Sequence, residues 1–356
     1  MTTGPRMRAG GPLRQRDTPE SGPRLDRLFE AGCDWLFAQG QPEHVAVYAP
    51  DGVLTYHDLD CLANQLARYL LARGVGPGDR VGLLLDQGAD TYIAMLAVLK
   101  IQAVYVLVDL GFAADRIAHL TTAGLRTLVS ETSLAERLHI RAGGPDLRVV
   151  LVDEEAVEIG RCSSTRLDDA EHGGPTDDPA SLVYPTGPAP RSDGVEISHA
   201  GVCNFALTTA KLSGLSMEDR VYESLSGPSA FSVEAIWVAW MVGAALVPKG
   251  AGLNLRGGEL RRFLATNRVT ALYCTPALLA SLDEDLPGLR FVLLSGQACP
   301  SDLLARWRRP GRRVISVYGT TESNPPVTPL VDSRLWHPPP PRPDPGSPAE
   351  PLGQMG

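Results

Sequence analysis

Tyr184 to His199 reads YPTGPAPRSDGVEISH and lies between an apolar run, ASLVY, and a helical pattern that begins near His199. A buried-type strand that runs into a loop and then a helix is where an alternating α/β chain grips a phosphate, using successive backbone N–H groups. This loop instead holds Pro185, Pro188 and Pro190, each lacking an N–H and fixed at φ of about −65°. An anion-binding nest is therefore not expected from it. His199 raises acid/base chemistry, but no carboxylate or nucleophile motif accompanies it, and a structural role at the start of a helix is expected. The sequence carries no Ser/His/Asp signature, zinc spacing or dinucleotide fingerprint.

The elements that must position this loop follow from periodicity. Residues 1–24 are basic and rich in Pro and Gly and read as a disordered tail. LDRLFEAGCDWLF has helical spacing, HVAVYAP and GVLTY read as strands around Asp51-Gly52, and Thr55 with Asp58 has capping-box spacing before the next helix. Then RVGLLLD, AVYVLVD, RTLVS and LRVVLVD alternate with helical segments, the pattern of a parallel sheet covered on both faces. A polar connector near 154–178 precedes a second set, in which ASLVY, VYESL, AALVP, VTALYC, LRFVLLSG and RVISVYG read as strands between helices. Eleven of the thirty prolines fall between Pro325 and Pro351. Residues 325–356 therefore read as a Pro-rich tail without helix or sheet.

The totals bound the class. With 356 residues and 44% hydrophobic content the chain can bury a large core. No run of about 18 apolar residues occurs, and the start lacks a secretory signal's apolar centre, so no membrane partner and a cytoplasmic location are expected. A formal net charge of −8 weighs against nucleic acid. The six cysteines are scattered, never as C-x-x-C, and read mainly as buried thiols.

LTYHDLD (54–60), GVGPGDRVGLLL (74–85), LAVLKIQAVYVLVD (96–109), VTALYCTPALLASL (269–282), LRFVLLSGQACP (289–300) and VISVYGTTES (314–323) stand in the order and spacing of an amino-acid adenylation domain. Over about 25–324 the chain thus resembles the adenylation domains of nonribosomal peptide synthetases, within the AMP-forming acyl/aminoacyl ligase superfamily. The resemblance implies an α/β core with two parallel-type sheets flanked by helices and a small barrel-like portion. It also implies ATP/AMP and Mg as cofactors, and a carboxylate that attacks the α-phosphate to give an acyl-adenylate before transfer to a carrier-protein thiol.

The resemblance assigns candidate residues. In the phosphate loop Thr186, Gly187 and Arg191 match, while the lysine position holds Asp193. At about 4 Å and an effective dielectric near 20 one charge pair amounts to roughly 4 kcal/mol, so the exchange turns attraction of that order into repulsion. Gly296, Gln297 and Ala298 would lie against the adenine, and Tyr318 and Gly319 would sit near it. Thr321 would contact the α-phosphate as a catalytic residue, and Glu322 would be catalytic and hold Mg, a hard cation suited to oxygen ligands. The substrate pocket would be Ala230, Phe231, Glu234, Tyr273, Leu293, Ser295, Val317 and Pro325. Ala230 replaces the aspartate that pairs with an amino acid's ammonium, and an ammonium buried without that partner is costly.

A C-terminal subdomain, whose lysine would stabilise the transition state, has no counterpart in the motifs and is expected to be absent. The reading that follows is an adenylation-domain-like protein of nonribosomal peptide, hence secondary-metabolite, biosynthesis that is catalytically impaired, a pseudoenzyme acting as a binding or scaffold partner. A carrier protein, an MbtH-like protein or other synthetase modules are the partners the resemblance implies. The alternative is a divergent ATP-dependent adenylating ligase served by a C-terminal subdomain in trans.

Overall fold

The computed structural model describes residues 23–86, 88–108, 113–140, 147–172, 179–184, 194–223, 230–250, 253–317 and 331–332, with the backbone alone for 113–116, 169, 172, 223, 230–234 and 331–332. The 1–24 tail lies almost wholly outside these residues.

Helix α1 (Leu25–Ala38) leads into the hairpin β1 (Val45–Ala49) and β2 (Gly52–Thr55), then α2 (Tyr56–Ala72). The alternation continues as β3 (Arg80–Leu84), α3 (Ala89–Lys100), β4 (Val104–Leu107), α4 (Ala113–Thr122), β5 (Thr127–Ser130), α5 (Thr132–Arg137) and β6 (Arg148–Leu151). Two short helices, α6 (Ala156–Gly160) and α7 (Asp169–His172), precede β7 (Ser181–Val183), β8 (Val195–Ile197) and α8 (His199–Ser213). Next come β9 (Arg220–Glu223), α9 (Ala230–Met241), β10 (Ala245–Leu246), α10 (Gly257–Thr266), β11 (Ala271–Cys274) and α11 (Pro276–Ala280). The described chain closes with β12 (Phe291–Leu294), α12 (Ser301–Trp307), β13 (Arg313–Ser316) and β14 (Val331–Asp332).

Among the described residues one sheet has the order β14-β13-β12-β11-β9-β10-β1-β2 and the other β6-β5-β3-β4-β7-β8. Their interiors are parallel, as the continuous apolar strands require, but β2, β8 and β14 add antiparallel edges, so both sheets are mixed. The link 184–194 is too short to carry a crossover helix, and β8 therefore returns beside β7 as a hairpin. Strand β14 lies inside the segment expected to form no sheet; no proline interrupts Val331–Asp332, whose backbone pairs with Ile315 and Ser316. No small barrel is present among the described residues.

Alternation along the strands divides the core. Tyr105, Val183, Tyr273, Leu293, Ile315 and Val317 belong to the main cluster, which also takes in α9 through Trp237 and Trp240. Leu272, Cys274, Val292 and Leu294 pack on the other face of the large sheet, and Val104, Val106, Leu182 and Tyr184 on the other face of the small one.

The Thr55 capping box forms as the spacing predicts: its hydroxyl accepts the Asp58 N–H at 3.0 Å while the Asp58 carboxylate accepts the Thr55 N–H at 3.2 Å. The described part of the polar connector, 154–172, is tied to α2. Arg68 of α2 donates to the carbonyls of Ser163 and Thr165 at 2.8 and 2.5 Å and pairs with Glu171. All six cysteines are free, but only Cys203 and Cys274 are buried and the other four are half-buried, a correction to the expectation of mainly buried thiols.

Candidate functional site

Strands β9, β11, β12 and β13 run parallel, so their carboxyl ends open on one edge of the large sheet. Such an edge is where open α/β sheets receive ligands. Register places Tyr273 beside Leu293, and Leu293 beside Ile315. Just past the strands, Ser295 donates its N–H to Cys274 O at 3.2 Å and Val317 donates to Leu294 O at 2.8 Å. Tyr273, Leu293, Ser295 and Val317 are thus brought together, all buried, with Tyr273 against Phe291 at 5.8 Å between ring centroids. Gly296 turns the chain away at φ +84°, a left-handed conformation that favours glycine. Gln297 and Ala298 follow that turn.

Helix α9 begins at Ala230, which puts Ala230, Phe231 and Glu234 in its first turns beyond the end of β9. Their side chains, and all of Thr186, Gly187, Arg191, Tyr318, Gly319, Thr321, Glu322 and Pro325, lie outside the described residues. Among the described residues no group of three or more His, Cys, Asp or Glu is arranged to hold a metal ion. Of the candidate nucleotide-binding residues, Gly296, Gln297 and Ala298 are the ones that fall among the described residues.

A cavity of about 320 Å³ adjoins that turn, lined by Pro276, Ala277, Gln297, Ala298, Leu303 and Arg306 among others. It opens between α11 and α12, on the opposite face of the sheet from Tyr273 and Leu293. It shares Gln297 and Ala298 with the predicted site, and sequence reasoning gave no sign of it because α11 and α12 are far apart in the chain.

The ends of the phosphate-loop stretch are fixed. Val183 pairs with Val195 and Ser181 with Ile197. Tyr184 is buried, edge-on to His119 at 6.2 Å. Immediately after β8, Ser198 caps α8 by accepting the Gly201 N–H at 3.1 Å. His199 faces inward and its Nδ1 accepts the Leu25 N–H at 3.1 Å. Burial, with the nearby Arg24 charge, pushes the imidazole down to about 3. A ring held neutral and bonded to the backbone ties α1 to α8, which is the structural role expected of it.

Sequence reasoning passed over a charged knot beneath the N-terminal helices. Lys100, fully buried, donates to Glu30 Oε1 at 2.5 Å and Asp60 Oδ1 at 2.7 Å. Arg166 from the connector bonds the other Asp60 oxygen at 2.9 Å and also pairs with Asp34. Burial favours the neutral acid at Asp60, but the Lys100 and Arg166 charges outweigh it and hold the carboxyl below the ordinary range. The available signal was a lysine inside the apolar run TYIAMLAVLKIQAVYV. It ties α1, α2 and α3 together.

Comparison with known proteins agrees with this architecture. Residues 35–353 match the family described as AMP-binding enzyme. The chain is 33% identical over 297 residues to phosphinothricin tripeptide synthetase PhsC of Streptomyces viridochromogenes, covering 80% of this chain and 26% of that protein. It is 34% identical over 293 residues to novobiocin biosynthesis protein H of Streptomyces niveus, covering 80% and 48%. The chain thus spans about a quarter to a half of the length of these relatives. The crystal structure of the nonribosomal peptide synthetase FmoA3 superposes with a TM-score of 0.73 at 27% identity, over 86% of this chain and 32% of that one. The chain belongs to the AMP-binding enzyme family, with adenylation domains of nonribosomal peptide synthetases among its relatives.

Proposed function

We propose that this chain is a catalytically impaired adenylation-domain core of nonribosomal peptide biosynthesis that acts as a binding or scaffold partner of synthetase proteins. The observation that carries the reading is the stretch 184–194. Its ends are pinned by the β7–β8 pairing and by Tyr184 against Gly194. Between them stand three prolines and Asp193 where phosphate binding needs amide donors and positive charge. Ala230 adds to it by removing the carboxylate an amino-acid substrate would pair with.

The nucleotide side supports a residual ligand class. FmoA3 has been solved in an AMPPNP-bound form and in an α-methyl-L-serine-AMP-bound form, at 26% identity and TM-scores of 0.72 and 0.74. In this chain the turn 296–298 is retained, so AMP is the ligand held if one is held, with Mg on Glu322. The partners that suit a synthetase relative are a carrier protein, an MbtH-like protein or another synthetase module. No helix among the described residues is long and apolar enough to cross a membrane, and a cytoplasmic site of action fits such partners.

The second reading, a divergent adenylating ligase, draws on the retained YGTTE residues Thr321 and Glu322. Pyrophosphate exchange with an amino-acid panel separates the two. The scaffold reading expects no ATP-dependent exchange by the purified chain. Clear exchange with any acid contradicts it and favours the ligase.

A further inference from the structure

His57 and Cys61 stand four residues apart on α2, which puts their side chains one above the other on a single face of the helix. His57 is exposed and Cys61 half-buried, so solvent reaches the pair. The Cys61 Sγ lies 3.7 Å from the His57 Nε2 and 4.0 Å from Nδ1. The other three half-buried thiols face backbone carbonyls instead: Cys33 that of Tyr56 at 3.6 Å, Cys162 that of Glu158 at 3.8 Å and Cys299 that of Pro300 at 3.7 Å.

Thiolate sulfur and neutral imidazole nitrogen are the donors that hold zinc-like divalent cations. Tetrahedral ligation, with a Zn–S bond of about 2.3 Å and a Zn–N bond of about 2.0–2.1 Å, sets the two donor atoms about 3.6 Å apart. The imidazole and the thiol therefore already stand at the bite of a chelate. Charge points the same way. Burial, and then the Asp60 and Asp58 carboxylates, push the Cys61 thiol up, against Ser164 and Lys100, which draw it down. Carboxylates that hold a proton on sulfur also favour a dication in that proton's place.

We propose that His57 and Cys61 form a two-residue clamp for a thiophilic divalent cation of the zinc class, with water filling the remaining positions. Binding replaces the Cys61 S–H proton, released to solvent, by a metal–sulfur bond, and a lone pair of the His57 ring supplies the second bond. A pair of protein ligands, rather than a closed set of four, leaves the ion open to water and exchangeable. The clamp spans one turn near the start of α2, so a bound ion stabilises the folded chain. None of this depends on whether the chain binds or turns over ATP.

The test titrates the reduced, metal-free full chain with Co(II), following the thiolate-to-cobalt absorption in the near ultraviolet, and then displaces the cobalt with Zn(II). A band that saturates at one equivalent and is bleached by zinc is expected. Cys61→Ser should abolish it. His57→Ala should weaken cobalt binding at least about tenfold, since the loss of even an outer-sphere partner of a ligand costs that much. Both positions lie on the helix surface, and both variants are expected to fold. No band, a band that survives Cys61→Ser, or binding undiminished in His57→Ala overturns the clamp.

Discussion

A β-carbon at position 194 would stand 2.8 Å from the ring of Tyr184, so Gly194 and Tyr184 close the two ends of the phosphate-loop stretch against each other. Tyr184 cannot swing clear, because it is buried in the small sheet's outer core cluster beside His119. Gly194→Ala is therefore expected to cost about 1–3 kcal/mol through overpacking. Urea unfolding measures it, and the loss should shrink in a Tyr184→Leu background, where the ring is gone. An equal cost in both backgrounds would show that the contact is not the cause.

The Lys100 knot makes a stability prediction of its own. Lys100→Met leaves Glu30 and Asp60 buried without their shared cation and is expected to cost about 3–5 kcal/mol. Neutralising the acids as well, in Lys100→Met/Glu30→Gln/Asp60→Asn, should restore more than half of that in the same urea assay. Failure to recover would mean that lysine packing, not charge, dominates.

His199 gives a pH signature. Its ring stays neutral in the folded chain down to about pH 3, whereas the unfolded ring takes a proton near its ordinary value of 6.5. Between those limits the unfolded state binds the proton that the folded state refuses. Stability is therefore full above about pH 6.5 and falls by about 1.4 kcal/mol per pH unit below it from this group. His199→Asn keeps an acceptor for the Leu25 N–H but has no titration. Urea midpoints at pH 7.5, 6 and 5 should diverge between the two proteins as pH falls, and parallel profiles would contradict the assignment.

Much of the fold was legible because it depends on local pattern. Runs such as RVGLLL and LRFVLL are apolar on both faces and became interior parallel strands, and Thr55 with Asp58 announced the start of α2. Of the antiparallel edges, β2 was legible in GVLTY, but β8 and β14 were not. Val195–Ile197 and Val331–Asp332 are short, and what makes them strands is a neighbour already in place. The connector's attachment rests on Arg68 reaching residues nearly a hundred positions later. At the site, Tyr273, Leu293, Ser295 and Val317 converge because parallel register aligns the strand ends. The Lys100 knot joins residues too distant in sequence for spacing to reveal.

The most direct measurement is isothermal titration of the purified chain with ATP in the presence of magnesium. Three prolines and Asp193 in the 184–194 stretch are expected to leave no saturable heat up to high micromolar ATP. Saturable binding in the low micromolar range, lost when Arg191 is replaced by alanine, would show that the stretch grips a triphosphate after all and would contradict the impaired-core reading.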